Sequence, residues 1–293
     1  MTECTPVDRS GAPVLASATS RCRVLGVINV TPDSFSDGGR YLDVDAAVSR
    51  GLALVHEGAD IVDVGGESTR PGARRISESE ELRRVVPVVR ALCDQGVSVS
   101  VDTMRANVAA AAIECGAVMV NDVSGGLADP AMLSLLADSR TPCILMHWRA
   151  HSETMDRHAT YDNVATDVRE ELSRRVDAAL ARDIEPENIV LDPGLGFAKT
   201  ADQSWSLLAG MSAVQGLGFP LVVGASRKRF LAEVIDYGGL DPAHPVDRDD
   251  ASGAVTAIVA AAGAWGVRVH RPAPSAAAVR VAARLAGVDR EVH

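Results

Sequence analysis

The sequence is poor in several features that would assign it to particular classes of protein. Aromatic residues make up 3% of the 293 residues, so the core must be built from alanine, valine, leucine and isoleucine. No apolar run reaches the roughly 18 residues of a membrane-spanning helix, and we expect no such span. The five cysteines form no CxxC pair, and their odd number and scatter predict reduced thiols in a cytoplasmic protein.

Positive charge is also scarce. The chain has 29 lysines and arginines against 39 aspartates and glutamates, a formal net charge of −10. This balance argues against a nucleic acid or an anionic membrane held by bulk electrostatics. An anionic substrate would need a local cationic pocket.

The first 22 residues differ in composition from the rest of the chain. They are rich in serine, threonine, alanine and proline, and they have neither the basic start nor the apolar segment of a secretory signal. We expect residues 1–22 to form a disordered extension and residues 23–293 to form one domain. Although 293 residues exceed the usual size of a domain, α/β barrels of this length fold as single units.

Eight short apolar segments predict the strands of a parallel sheet. Each is rich in valine and isoleucine and is nearly continuous rather than alternating, as in strands that are buried on both faces. They span residues 23–29, 60–65, 97–103, 118–123, 143–148, 188–194, 221–226 and 266–270.

The segments between these strands have helical spacing, and Gly58, Gly96 and Gly116 stand where helix C-caps are expected. Eight strand–helix pairs of about 30 residues each predict a single-domain (β/α)8 barrel, the TIM barrel. An open doubly wound sheet is the alternative. It would be expected to carry GxGxxG after its first strand, where this chain has GVINVTPDSF.

Polar residues stand at the end of every predicted strand. They are Asn29, Asp63, Asp102, Asn121, His147, Asp192, Ser226 and the pair Arg268 and His270. A single aspartate here is as easily explained by helix capping, but capping does not require a polar residue at every strand end. Since barrel active sites lie at the carboxyl ends of the strands, we expect these groups to surround one site.

The residue types at these ends indicate the kind of ligand. Carboxylates and carboxamides suit a flat heterocycle with several N–H donors and ring acceptors. Arg268 and His270 lie two apart on one strand, share a face and suit a phosphate. The Asn29 oxygen can ligate Mg²⁺, which needs only one or two protein oxygens when phosphate supplies the rest.

Seven motifs in order give the chain a family resemblance. They are GVINVTPDSFSDGG, DVGGESTRPGA, VSVDT, NDVSG, LDPGLGFAKT, GASRKRF and RVH. Together they closely resemble dihydropteroate synthases, over Arg23 to about Gly287. The resemblance implies a Mg²⁺-dependent condensation of 6-hydroxymethyl-7,8-dihydropterin pyrophosphate with 4-aminobenzoate. It also implies a homodimer whose partners are these small molecules.

The resemblance also implies roles for individual residues. The pterin site would comprise Asp63, Asp102, Asn121, Met146, Asp192, Phe197 and Lys228. The pyrophosphate site would comprise Asn29, Arg268 and His270, with Asn29 also binding the metal. The 4-aminobenzoate site would comprise Phe35, Ser68, Thr69, Arg70 and Pro71. Loops 31–39 and 65–72 correspond to mobile loops over the reacting centre. Catalytic roles would fall to Asp37, Asp102, Lys228 and Arg268.

The implied chemistry needs no dedicated base, because the electrophile is activated by departure of pyrophosphate. Two other functions are alternatives to this reaction. A corrinoid-linked methyltetrahydrofolate methyltransferase uses a similar pterin barrel but needs neither TPDSFSDGG nor the SRKRF lysine beside RVH. A pterin-binding relative without activity should have lost loop or metal-site residues, whereas Asn29, Asp37, Thr69 and Arg70 are all present.

Overall fold

The structure is a computed structural model, and it describes residues 15, 21–31, 40–69, 72–235 and 237–288. Within these ranges the strands are β1 Arg23–Asn29, β2 Ile61–Gly65, β3 Val99–Asp102, β4 Met119–Asp122, β5 Cys143–Met146, β6 Ile189–Asp192, β7 Val222–Val223 and β8 Gly266–Val269. All are parallel, in the order β6-β5-β4-β3-β2-β1-β8-β7. A parallel bridge between Leu191 and Leu221 brings β6 to β7. The predicted (β/α)8 barrel is confirmed.

Helices alternate with the strands. They are α1 Arg40–His56, α2 Glu78–Asp94, α3 Ala106–Glu114, α4 Met132–Ser139, α5 Val164–Leu180, α6 Ala201–Ala209, α7 Met211–Gln215, α8 Asp249–Ala261 and α9 Pro272–Ala286. Gly58, Gly96 and Gly116 have positive φ just after helix ends, as predicted. None of the helices in the described ranges is long and apolar enough to cross a membrane.

The prediction is wrong at the seventh strand. The expected strand over 221–226 is only Val222–Val223, because the chain turns after Gly224 and the Lys228 N–H donates to the Ala225 carbonyl at 3.1 Å. The segment between β6 and β7 is helical, as predicted, and consists of two helices separated at Gly210, a residue with low helix propensity.

Apolar side chains fill the barrel toward the amino ends of its strands. This inner layer consists of Leu25, Ile61, Met119, Ile144, Val190 and Val222, and all of them are buried. Leu15, from the segment before β1, packs against the layer. The apolar residues of the strands therefore close one end of the barrel and leave the carboxyl end for polar groups.

The barrel's contacts begin before the predicted boundary at Arg23. The Arg21 guanidinium donates to both Asp60 carboxylate oxygens, at 2.9 and 2.6 Å, and Asp60 also accepts from the Val24 N–H at 2.8 Å. Cys22 is buried, and burial raises the pKa of its thiol to about 12. The predicted disorder therefore does not extend to Leu15, Arg21 and Cys22, and the rest of the extension lies outside the described residues.

Candidate active site at the carboxyl end of the barrel

The carboxyl ends of the strands surround a cavity of about 740 Å³. Eleven of the residues expected above at the site line it. They are Asn29, Ser68, Thr69, Asn121, Met146, Asp192, Phe197, Ser226, Lys228, Arg268 and His270. Phe35, Asp37, Arg70 and Pro71 lie outside the described residues. Six of the nine strand-end residues therefore line one cavity, as the barrel prediction expects, and the roles of the site residues stay predictions.

Asp63 and Asp102 form an ion network with Arg268. The Arg268 Nε donates to Asp63 Oδ2 at 2.5 Å, and its Nη2 donates to Asp102 Oδ2. Asn121 Nδ2 also donates to Asp63 Oδ2, at 3.0 Å. Neither carboxylate is among the described residues that line the cavity, which differs from the expected pterin contacts. Both are buried, and a buried carboxylate takes the nearest cation as its partner.

The network leaves part of Arg268 available to a ligand. Although burial opposes it, the charges of Asp63 and Asp102 raise the pKa of the guanidinium, so Arg268 stays charged. Its third nitrogen, Nη1, donates no hydrogen bond to any described residue, and the side chain lines the cavity. A guanidinium held by two carboxylates can therefore still present N–H donors to an anion.

Asp192 and Asn121 bring acceptors to the cavity. Asp192 Oδ1 accepts from the Gly194 N–H at 2.7 Å, and Oδ2 accepts no hydrogen bond within the described ranges. Burial raises the pKa of Asp192, whereas that N–H bond and Lys228 oppose the shift. Since Asn121 donates its amide to Asp63, its carbonyl oxygen is left as an acceptor. These groups match the N–H edge of a flat heterocycle.

Lys228 and Phe197 pack against each other in the lining of the same cavity. The Lys228 ammonium lies 3.8 Å from the centre of the Phe197 ring, a cation–π contact. Gly196, with φ 72°, leaves room for the aliphatic part of the Lys228 side chain, because a Cβ at this position would lie 3.2 Å from Lys228 Cδ. Burial lowers the pKa of Lys228 to about 8. Met146 packs with Phe197 in one apolar cluster, and both side chains line the cavity as an apolar wall.

An ion network also holds the start of the second loop, which carries Ser68 and Thr69. Glu67 accepts from the Arg105 Nη1 at 3.1 Å, from Arg75 Nε at 3.2 Å and from the Ile76 N–H at 3.2 Å. Arg105 also pairs with the buried Glu81. This network lies beside β3 and fixes the base of the loop at the rim of the cavity.

Two residues differ from the prediction made from the sequence. His147 is 1% exposed and does not line the cavity, although it stands at a predicted strand end. It binds Glu171 and Lys199 instead, at 2.9 and 3.0 Å. Lys199 was missed, although it lies in LDPGLGFAKT and lines the cavity. One signal could have identified it: the sequence contains two lysines, Lys199 and Lys228, and both reach the site.

Comparison with known proteins agrees with this geometry. The family model described as "Pterin binding enzyme" matches residues 25–270. A dihydropteroate synthase of Mycobacterium leprae is 52% identical over 262 residues, which cover 88% of this chain and 92% of the relative. The chain belongs to the dihydropteroate synthase family.

Solved structures of dihydropteroate synthases have the same fold. The Xanthomonas albilineans enzyme with 4-aminobenzoic acid matches with a TM-score of 0.83 at 40% identity, covering 92% of this chain and 94% of that one. The same enzyme in complex with 7,8-dihydropteroate gives a TM-score of 0.79 at 38% identity, with coverage of 92% and 95%. The likeness therefore extends over almost the whole barrel.

The buried ion network predicts a specific loss of stability. Asp63→Asn keeps the size of the side chain but removes one of the two carboxylate charges that face Arg268. Removing one partner of a buried ion pair costs about 3 kcal/mol or more, and we expect urea unfolding to show a loss of that size. Asp177→Asn, at an exposed position on α5, is the matched control. Equal losses in the two variants would contradict the network's role.

Proposed function

We propose that this chain condenses 6-hydroxymethyl-7,8-dihydropterin pyrophosphate with 4-aminobenzoate, giving 7,8-dihydropteroate and pyrophosphate. The observation that carries the proposal is one cavity lined by acceptors, an apolar wall and a guanidinium with unused donors. A pterin ring needs the acceptors and the apolar wall, and a pyrophosphate needs the guanidinium. The structures of the Xanthomonas albilineans enzyme with 4-aminobenzoic acid and with 7,8-dihydropteroate support one substrate and the product.

The pterin ring is assigned to the side of the cavity that carries Asn121, Asp192, Phe197 and Lys228. Asp192 Oδ2 accepts from the ring N–H and amino groups, and Lys228 donates toward the ring carbonyl. The faces of the ring pack against Phe197 and Met146. Asp63 and Asp102 do not contact the pterin in this proposal. They act indirectly, because they orient Arg268 and Asn121.

Pyrophosphate is assigned to Asn29, Arg268 and His270, which line the cavity from the neighbouring strands β1 and β8. The described residues contain no cluster of three His, Cys, Asp or Glu that could hold a metal ion by itself. The Asn29 carboxamide lines the cavity and forms no hydrogen bond to a described residue. This donor set fits Mg²⁺ bound jointly with phosphate oxygens. When bound, Mg²⁺ would offset the charge of the departing pyrophosphate.

Catalysis then rests on positioning and electrostatics. The amine nitrogen forms a bond to the exocyclic methylene carbon as the carbon–oxygen bond breaks, and the electron pair leaves with pyrophosphate. Arg268 stabilises the charge on that leaving group. The carboxylate of Asp102 favours positive charge at the methylene carbon through space. No side chain is required as a base, because the amine product loses its proton readily to water.

The 4-aminobenzoate site is assigned to the rim of the cavity. Ser68 and Thr69 line the cavity there, and Glu67 holds their loop in place. Phe35, Arg70 and Pro71 complete the proposed site, and Asp37 is proposed to reach the reacting centre. These four residues are assigned by the motifs alone.

We propose further that the protein acts in the cytoplasm as a homodimer. The four described cysteines are free thiols, as in a reducing compartment. Apolar side chains on α8 and α9 are exposed, with Ile258 at 65% and Leu285 at 82%, and they support a contact between two copies. Sedimentation equilibrium that gives the monomer mass of 30.7 kDa at micromolar concentration would contradict the dimer.

Release of pyrophosphate separates the three functions. With the pterin pyrophosphate and Mg²⁺, we expect release that depends on 4-aminobenzoate and matches formation of dihydropteroate mole for mole. A methyltransferase would release no pyrophosphate but would transfer a methyl group from methyltetrahydrofolate. A binding protein would do neither, although it would still bind the pterin in a calorimeter. Either result would contradict the proposed reaction.

A further inference from the structure

Lys199 makes a complete set of hydrogen bonds in the interior of the barrel mouth. Its ammonium donates to the Gly194 carbonyl at 3.0 Å, to the Phe197 carbonyl at 3.1 Å and to His147 Nδ1 at 3.0 Å. The side chain is only 7% exposed. An ammonium has three N–H donors, so all of them are used within the protein.

The third partner of Lys199 is held in place by a chain of its own. His147 Nε2 lies 2.9 Å from Glu171 Oε2, and Arg149 binds both oxygens of that carboxylate, at 3.1 and 2.5 Å. Since the Glu171 carboxylate can only accept, His147 Nε2 must carry the proton and Nδ1 must accept from Lys199. Burial lowers the pKa of His147 to about 4, which keeps the ring neutral.

The loop over Lys199 has a backbone that needs support. Gly194, Gly196 and Ala198 all have positive φ, at 68°, 72° and 48°. This alternation turns the carbonyls of residues 194 and 197 toward the ammonium. A Cβ at residue 194 would lie 2.6 Å from the His147 carbonyl oxygen, so the loop packs directly against the residue that follows β5. Positive φ at Ala198 carries a strain that the surrounding contacts must offset.

This loop carries two of the groups that the proposed function uses. Asp192 precedes it and caps it through the Gly194 N–H, and Phe197 lies within it. Tyr161 adds a further tie, because its hydroxyl donates to the Ala198 carbonyl at 3.0 Å. The conformation of residues 193–198 therefore decides where Asp192 and Phe197 stand in the cavity.

We propose that Lys199 is a positioning residue that, with His147, holds loop 193–198 in the conformation that binds the pterin ring. The identity of the ligand rests on the proposed function, whereas the role in the loop rests on the contacts above. Lys199 acts on the pterin through Asp192 and Phe197. Its loss should therefore weaken binding of one substrate and leave the other substrate's site intact.

The first test is Lys199→Met, which keeps the length of the side chain and removes the ammonium. We expect KM for the pterin pyrophosphate to rise at least about 10-fold, because small misplacements of binding groups have effects of this size. KM for 4-aminobenzoate at saturating pterin pyrophosphate should change less than about threefold. Arg21→Met, which breaks an ion pair at the far end of the barrel, is the matched control and should leave both values unchanged.

Amide hydrogen exchange on the ligand-free protein tests the loop separately from the reaction. In Lys199→Met, amides of residues 194–198 should exchange faster, while those of residues 65–69 should not change. This readout holds whether or not the protein turns over, so failure of the proposed function and failure of this inference are distinguishable. Unchanged exchange at residues 194–198, or an equal rise in both KM values, would overturn the inference.

A pair of His147 variants covers the case in which Lys199→Met does not fold. Asparagine can place an acceptor near the position of Nδ1, whereas glutamine places one near Nε2. We expect His147→Gln to raise KM for the pterin pyrophosphate and the exchange of residues 194–198. His147→Asn should restore most of both losses. The opposite order, or equal effects from the two variants, would overturn the role of Lys199 as a donor to this position.

Discussion

The ion network of Arg268, Asp63 and Asp102 is the interaction on which the mouth of the barrel depends. The guanidinium reaches from β8 past β1 to carboxylates on β2 and β3, and it joins β8 to two strands with which β8 does not pair. A buried ion pair seldom adds net stability over apolar packing, but it fixes geometry, since either charge alone would be costly. Asp63 also orients Asn121, so one network sets the position of both a guanidinium and a carboxamide that line the cavity.

The same network connects to the second loop. Thr103 follows Asp102 and donates to Glu81 at 2.6 Å, and Glu81 pairs with Arg105, which in turn holds Glu67. Each link is a charged or buried contact, so the position of Ser68 and Thr69 is tied to the ends of β2 and β3. Lys199 serves a similar purpose for loop 193–198 through its contacts with Gly194, Phe197 and His147. Internal charges therefore organise both halves of this site.

Much of this arrangement could be predicted from the sequence, and the failures have a common cause. Polar residues at the strand ends locate the site because the barrel brings all carboxyl ends together. The position along a strand does not give the side-chain direction, which alternates with a period of two. Thus Met146 lines the cavity and the adjacent His147 does not, and Asn121 lines it while Asp122 caps the following turn. Nor does the pattern reveal that Asp63 and Asp102 take Arg268 as their partner.

Calorimetric titration of Arg268→Lys with pyrophosphate in the presence of Mg²⁺ tests the central claim most directly. Lysine keeps the positive charge that Asp63 and Asp102 require, but it cannot donate to both carboxylates and still present a planar edge to the anion. We expect pyrophosphate to bind at least about 10-fold more weakly than to the unaltered protein, a change of about 1.4 kcal/mol. Unchanged affinity in a variant with unaltered unfolding would contradict the account, because Arg268 would then serve the fold and not the anion.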